Sequence, residues 1–382
     1  MHITDEIIDD LDFERSAKTV CPEADVNDVI FFDIETTGLS PMRSGLYLIG
    51  CMFVDGKNTV LRQFFADDLE DEKSALISFA ELLDNKEYVV HFNGSTFDIP
   101  YLKNKYRQHS MKDPFEDKKS CDIYRMLLPL KKMLSLKSMK QKSLEELSGI
   151  HRDDMFTGGE LIDVYKNYQK LILLSRARKE EEETAEITQM RKILLLHNSD
   201  DIKGMMPVAG LIGIVSFAEG GFDVGEPYSE EGIVKTEIIP DCEIPACAFE
   251  GKSPLRFISR DDSGKMFVNV PLIRASLRLF MKEFRDHYYI PSKDMAVHAS
   301  VAGFIASGEK KRATPATCYV PCEGSFLTVR EEDLPEGLPL IKHEYSERIA
   351  YVRIEDLSPE VLKAAVMYRL MSRMRGEEDG LQ

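Results

Sequence analysis

The sequence predicts a mixed α/β fold with helices on both faces of a sheet, followed by a smaller α+β domain. Three apolar runs, at 29–33, 47–54 and 59–65, have the β-branched and aromatic character of strands. After them, short apolar runs alternate with helical patterns up to about residue 216. Glycine- and proline-containing turns then become frequent. We therefore predict an N-terminal extension over 1–28, an α/β domain over 29–216 and an α+β domain of unknown role over 217–382.

The first three predicted strands form an antiparallel meander, because Asp55-Gly56 provides a tight turn between the second and the third. The elements that follow alternate in type, which favours parallel strands joined by helical crossovers. They are a helix before residue 88, strands at 88–92 and 119–122, and helices at 97–106, 123–134 (with Asp122 as its N-cap), 143–148, 160–174 and 186–206.

The C-terminal part contains shorter β-type runs and three helical patterns. A pattern of this kind is typical of an α+β domain. The predicted strands are 232–240, 255–259, 266–270, 316–320 and 325–329, and the predicted helices are 271–288, 295–306 and 359–374.

Two carboxylates follow the first predicted strand. Side chains alternate along a strand, so Asp33 and Glu35 point to the same face. Two like charges this close repel unless a cation neutralises them, and Mg²⁺ or Mn²⁺ is the cation that carboxylate oxygens select. The alternative is a strand end with two solvated acids.

A third acid follows the predicted strand at 88–92. Asn93-Gly94-Ser95 is typical of a turn, and Asp98 then lies in the first turn of a helix. This pattern predicts a third carboxylate beside the sheet edge. The alternative is that Asp98 only complements the positive end of the helix dipole.

A histidine and an acid share one face of the predicted helix at 186–206. His197 and Asp201 are four residues apart, which is the spacing of neighbours on a helix face. The pair suits a general base beside a metal ligand, although Asp200 remains an alternative ligand and His197 an alternative core or surface residue.

Together the three motifs resemble those of the DEDD-type 3′–5′ exonucleases of the ribonuclease-H-like superfamily, and are most similar to the YprB-like branch. Asp33 and Glu35 match the first motif, residues 93–98 the second, and His197 with Asp201 the third. His197 stands at the spacing that one subclass gives to Tyr, which leaves open whether it is the base or orients the water. The resemblance covers about residues 28–215 and implies a ribonuclease-H-like fold.

The resemblance also implies a function. Two divalent ions, Mg²⁺ or Mn²⁺, would be held by Asp33, Glu35, Asp98 and Asp201, and would support hydrolysis of phosphodiester bonds from the 3′ end of single-stranded DNA or RNA. The expected partner is therefore a nucleic acid with a free 3′ end. A non-catalytic nucleic-acid-binding or scaffold protein and a structure-selective endonuclease are the alternatives, and the complete set of acids favours the enzyme.

Composition predicts a globular cytoplasmic protein without a membrane span. The chain of 382 residues is 43% hydrophobic and 30% charged, and no continuous apolar run reaches the ~18 residues of a spanning helix. The net charge of −17 opposes indiscriminate binding of nucleic acid. However, the stretch from Leu102 to Lys142 contains twelve Lys or Arg residues but only four Asp or Glu residues. This stretch is a candidate path for a nucleic-acid strand or an ordinary solvated surface.

The seven cysteines are an odd number scattered through a long chain, which favours reduced thiols over disulfides. Four of them, Cys242, Cys247, Cys318 and Cys322, are the candidate ligands of a structural zinc ion. Their spacings are looser than those of common zinc sites, so we favour free thiols there.

Overall fold

The computed structural model describes residues 1–9, 12–68, 70–150, 152, 156, 158–178, 183–230, 232–249 and 254–375. The chain divides into two compact units. The first comprises Met1–Val215 with Glu243–Cys247, and the second comprises Ser216–Cys242 with Ala248–Gln382.

A six-stranded mixed sheet organises the first unit. Its strands lie in the order β1-β4-β3-β2-β5-β6. β2, β3 and β4 form the predicted antiparallel meander, whereas β5 pairs in parallel with β2 and β6 in parallel with β5. The strands are β1 (His2–Ile8), β2 (Val29–Thr36), β3 (Leu46–Asp55), β4 (Asn58–Phe65), β5 (Tyr88–His91) and β6 (Lys119–Asp122). The predicted mixed sheet is thus confirmed.

The edge strand β1 comes from the segment that the sequence predicts as an N-terminal extension. It pairs with β4 along its whole length, from His2 opposite Phe65 to Ile8 opposite Thr59. Its side chains at 3–7 are exposed. Because no face of this strand is buried, the sequence carries no apolar alternation there, and only the hydrogen bonds to β4 define it as a strand.

Helices cover both faces of the sheet, as predicted. On one face, Phe32 and Phe64 pack with Phe79 and Leu102 in one hydrophobic cluster. On the other, β3 and β4 pack against α6 and α7 in a second cluster. Burial of each large side chain contributes about 1.5–3 kcal/mol. The helices are α1 (Phe13–Val20), α2 (Glu72–Leu83), α3 (Asp98–Gln108), α4 (Ile123–Met133), α5 (Gln141–Leu147), α6 (Gly158–Arg178), α7 (Ala185–Gly210) and α8 (Ile212–Ala218).

One helical stretch in the described part of the chain, Ala185–Ala218, is long and apolar enough to cross a membrane by length and composition alone. In the structure, 67% of its most apolar window is buried inside the protein. That burial is what a core helix shows, because its apolar side chains pack against the rest of the fold.

The second unit is richer in strands than the sequence predicts. It contains a five-stranded sheet, a closed four-stranded barrel in which β12, β16, β18 and β17 follow one another, and a three-stranded sheet. The strands are β7 (Phe222–Val224), β8 (Tyr228–Glu230), β9 (Ile233–Pro240), β10 (Ile258–Arg260), β11 (Met266–Pro271), β12 (Ile273–Phe280), β13 (His287–Ile290), β14 (Met295–His298), β15 (Lys311–Arg312), β16 (Tyr319–Arg330), β17 (Leu340–Lys342) and β18 (Ile349–Arg353), and the helices are α9 (Ala299–Ala302) and α10 (Pro359–Met374).

The helix predicted over 271–288 is wrong. This segment contains β12 and the start of β13 instead, and β12 pairs with β16 over eight positions, from Ile273 opposite Phe326 to Phe280 opposite Tyr319. Ile273, Leu277 and Phe280 have helical spacing, but the residues that pack together in the barrel core follow a period of two. The short apolar run is compatible with the period of a helix and with that of a strand. The segment forms a strand because it pairs with β16.

Two of the four cysteines proposed as zinc ligands pack among apolar neighbours. Cys318 packs with Ala296 and Ala313, whereas Cys322 belongs to the core of the barrel. Among the described residues, no cysteine lies in a group of three or more side chains that are placed to share a metal ion.

Candidate metal centre

The predicted acids converge because of the sheet order. β2 and β5 are parallel neighbours, so their carboxyl ends meet at the same edge of the sheet. Asp33 and Glu35 lie at the end of β2, and Asp98 begins α3 shortly after β5. The backbone N–H of Ile34, the residue between the other two acids, lies close enough to the Asp98 carboxylate to lower its pKa. Three of the predicted carboxylates therefore lie at the same edge of the sheet, close enough for Asp98 and Glu35 to act electrostatically on Asp33.

Helix α7 brings the third motif to the same place. His197 Nε2 lies 3.6 Å from Glu35 Oε1 and 3.4 Å from Asp201 Oδ2. The ligand atoms of Glu35, His197 and Asp201 all lie within 4.8 Å of one another, so these three side chains are placed to share a metal ion. Asp201, and not Asp200, belongs to this group.

Burial and mutual repulsion both act on Asp33. Its pKa is raised well above the ordinary value, first by burial and then by the nearby charges of Asp98, Asp201 and Glu35. A hydrogen bond from Asn198 Nδ2 to Asp33 Oδ2, 3.0 Å long, opposes this shift. Without a cation, the cluster therefore favours the neutral form of this acid.

The pKa of Asp98 is raised as well, as is that of Asp33. Asp98 is 7% exposed, and burial is the main reason that its pKa is raised to about 7. Backbone N–H donors oppose the shift, while Asp122 and Asp201 add to it by repulsion. A divalent cation at this position would reverse the balance, because it attracts the ionised carboxylates that now repel one another. The donor set fits a hard divalent metal ion.

Asn198 is a site residue that the sequence reasoning missed. It is 0% exposed, and its Oδ1 accepts a hydrogen bond of 2.9 Å from Gln63 Nε2 while its Nδ2 donates to Asp33. Gly50, which lies opposite Asp33 in the sheet, makes room for it, because a Cβ at Gly50 would lie 1.9 Å from Asn198 Oδ1. A glycine inside the apolar run of β3 was the available signal, since strand glycines often mark a close approach.

Asp122 supports the turn that precedes Asp98. It stands at the predicted N-cap position of α4, but its side chain makes no capping bond there. Its carboxylate instead accepts the N–H of Asn93, at 2.9 Å, and the hydroxyl of Ser95. Asn93 has a left-handed backbone, with φ of 60°. These bonds stabilise the turn in the conformation that places Asp98 against β2.

His91 completes the support of this turn. Burial lowers its pKa to about 4, so the ring is neutral near pH 7. Its Nδ1 accepts the N–H of Gly94 at 3.0 Å, which places the ring proton on Nε2, 2.8 Å from Ser120 Oγ.

The raised pKa of Asp98 predicts a pH effect on the metal-free protein. With a folded pKa of about 7 and an ordinary value of 3.8, its favourable contribution to stability is present below the ordinary value and lost as pH rises through about 7. Asp98→Asn removes the titrating group. In EDTA, the Tm of the variant relative to that of the wild type should therefore be higher at about pH 8 than at about pH 5. Thermal melts at both pH values check this. A Tm difference that is independent of pH would contradict it.

Comparison with known proteins gives one family match. Residues 30–212 match the model of the RNase_H superfamily. A solved structure, the family B DNA polymerase from the hyperthermophilic archaeon Pyrobaculum calidifontis, is similar with 16% sequence identity and a TM-score of 0.35, and the match covers 50% of this chain and 26% of that one. A search of curated proteins finds no significant match. Residues 30–212 thus have a ribonuclease-H-like fold, and the superfamily match supports a nuclease that acts on nucleic acid with divalent metal ions.

Proposed function

We propose that residues 29–216 form a metal-dependent 3′–5′ exonuclease that hydrolyses phosphodiester bonds of single-stranded DNA or RNA. One observation carries the proposal. Acids from three distant segments of the chain, together with one histidine, meet at one edge of the sheet, where they repel one another in the absence of a cation. The polarity of cleavage rests on the resemblance of the three motifs to those of the DEDD-type exonucleases.

Asp33, Glu35, Asp98 and Asp201 would hold two Mg²⁺ or Mn²⁺ ions. When bound, these ions would lower the pKa of a water molecule and stabilise the leaving 3′ oxygen. The protein contributes a preorganised set of oxygen ligands. Tyr47 Oη donates to Glu35 Oε2 at 3.4 Å and Asn198 donates to Asp33, so two of the four acids are already oriented.

His197 would accept the proton of the attacking water. The imidazole is 6% exposed and lies between Glu35 and Asp201. Its Nε2 faces the two acids that would hold the metal ions, which is the position that a general base for a bound water molecule needs.

The basic stretch after the second motif offers a route for the strand. Lys131, Lys132, Lys137 and Lys140 are exposed on α4 and on the segment that leads to α5, whereas Lys105 is buried and paired with Glu72 at 3.0 Å. Exposed lysines bind phosphates through charge and carry no sequence preference. This arrangement supports a substrate that is a nucleic-acid strand recognised mainly by its backbone.

Degradation of labelled oligonucleotides tests the proposal. With 5′-labelled single-stranded DNA and RNA, we expect a ladder of products shortened from the 3′ end in Mn²⁺ or Mg²⁺ and none in EDTA. The comparison of the two substrates identifies the preferred sugar.

A circular single-stranded DNA is the matched control, because it has no end and should stay intact. Cleavage of the circle would favour the structure-selective endonuclease. Binding of every oligonucleotide without cleavage in either metal would favour the non-catalytic nucleic-acid-binding protein.

A further inference from the structure

We propose that Arg152 is a positioning residue of the metal centre, which orients the fourth acid, Asp201, through an anchor on Glu145. This inference rests on the proposed function. The guanidinium bridges two carboxylates, since Nη1 lies 2.5 Å from Asp201 Oδ1, Nε lies 2.5 Å from Glu145 Oε2, and Nη2 pairs with Glu145 Oε1. The side chain of Arg152 is 8% exposed.

The bridge leaves the other oxygen of Asp201 directed at the cluster. Oδ1 takes the hydrogen bond from Arg152, whereas Oδ2 lies 3.4 Å from His197 Nε2. A carboxylate bound on one oxygen by a rigid, planar guanidinium is restrained in rotation about its side-chain bonds. Asp201 is thereby positioned to present Oδ2 on the side of Glu35 and His197, which is the orientation that a shared metal ion needs.

Glu145 is the fixed end of the bridge. It lies on α5, is 0% exposed, and accepts a further hydrogen bond of 2.9 Å from Gln141 Nε2. The same amide donates to the backbone carbonyl of Asp201 at 2.5 Å. A fully buried carboxylate is costly unless it is paired and hydrogen-bonded, so Glu145 and Arg152 form one unit.

Gly204 provides the space for this unit. It lies on α7, three residues after Asp201, and a Cβ there would lie 1.9 Å from Glu145 Oε1 and 2.9 Å from Arg152 Nη2. The helix that carries the acid therefore also accommodates the pair that orients it. A Cβ at Gly210, on the same helix, would instead enter open space.

The two glycines give a matched test. Gly204→Ala displaces the Glu145–Arg152 pair without altering any charged group, and Gly210→Ala makes the same chemical change in open space. Loss of a residue that orients a metal ligand typically weakens metal affinity by about 10–100-fold. In the full chain, we expect this loss of Mn²⁺ affinity for Gly204→Ala, measured by titration with detection of free Mn²⁺ by electron paramagnetic resonance, and no change for Gly210→Ala.

Substitutions of the pair extend the test. Arg152→Lys should retain part of the affinity because it keeps the charge but loses the two-pronged geometry. Glu145→Gln with Arg152→Met should lose as much affinity as Gly204→Ala, and this double variant leaves neither buried charge unpaired. The Tm in EDTA is measured alongside, because a merely structural role would lower the Tm and leave the Mn²⁺ affinity unchanged.

The outcomes separate this inference from the proposed function. Failure of the wild-type protein to bind Mn²⁺ would overturn both. If the wild type binds Mn²⁺ and the Gly204→Ala and double variants bind it equally well or more tightly, the metal centre stands and the positioning role of Arg152 is overturned.

Discussion

Asp33→Asn should abolish metal-dependent hydrolysis while the fold stays intact. The substitution removes one of four carboxylates but keeps the shape of the side chain that Asn198 contacts at 3.0 Å. The ligand helps to hold ions that stabilise the charge developing in the transition state by several kcal/mol. Its loss should therefore lower the rate by on the order of 10³-fold. The variant is not expected to be less stable without metal, because the raised pKa of Asp33 shows that its charge is unfavourable there.

The rate of oligonucleotide degradation in Mn²⁺ and the Tm in EDTA are the two measurements. Asp117→Asn is a suitable control, since it makes the same change at an exposed acid of the same unit. A rate for Asp33→Asn close to that of the wild type would remove Asp33 from the ligand set. A strongly lowered Tm in EDTA would instead indicate that the carboxylate serves mainly to stabilise the fold.

Asp201→Asn should be nearly as damaging as Asp33→Asn, whereas Asp200→Asn should have little effect on hydrolysis. The two acids are adjacent on α7, but Asp201 lies with Glu35 and His197 and Asp200 does not belong to that group. Replacement of Asp201 also deprives Arg152 of a charged partner. We expect a loss on the order of 10³-fold for the first variant.

Each of these neighbours is the control for the other. Both changes remove one charge from the same turn of the same helix, so a general effect on α7 would lower both rates alike. Rates for the two variants in reverse order would assign the fourth ligand to Asp200. Mn²⁺ affinity, measured on the same preparations, should fall only for Asp201→Asn.

The sequence predicted the strands and helices that carry the site. Strong apolar runs indicated β2, β3 and β4, and the turn at Asp55-Gly56 indicated their antiparallel order. These features depend on residues close together in the chain, where strand alternation and turn chemistry act directly. β1 and β12 were not predicted as strands, because β1 lacks a buried face and the apolar pattern of β12 fits two periods.

The acids of the candidate site were also visible in the sequence, at two strand ends and on one helix face. Their meeting was an inference from motif order, and the structure gives it a physical cause. β5 lies beside β2 in parallel, so the turn after β5 brings Asp98 close to the backbone of Ile34 on β2. The choice of Asp201 over Asp200 depends on the rotation of α7 about its axis, which packing against the sheet determines and residue spacing does not.

The sequence by itself determined the type of fold and the set of candidate acids, because both depend on local pattern and on residue type. Only the tertiary structure decided which residues orient the acids. The contacts that orient them come from Asn198, Asp122 and Arg152, which lie far in the chain from the residues they contact. Some of these contacts need space that a glycine on another segment provides, as Gly50 does for Asn198 and Gly204 does for Arg152. Such partnerships depend on where side chains meet after folding, and no local pattern in the chain encodes that position.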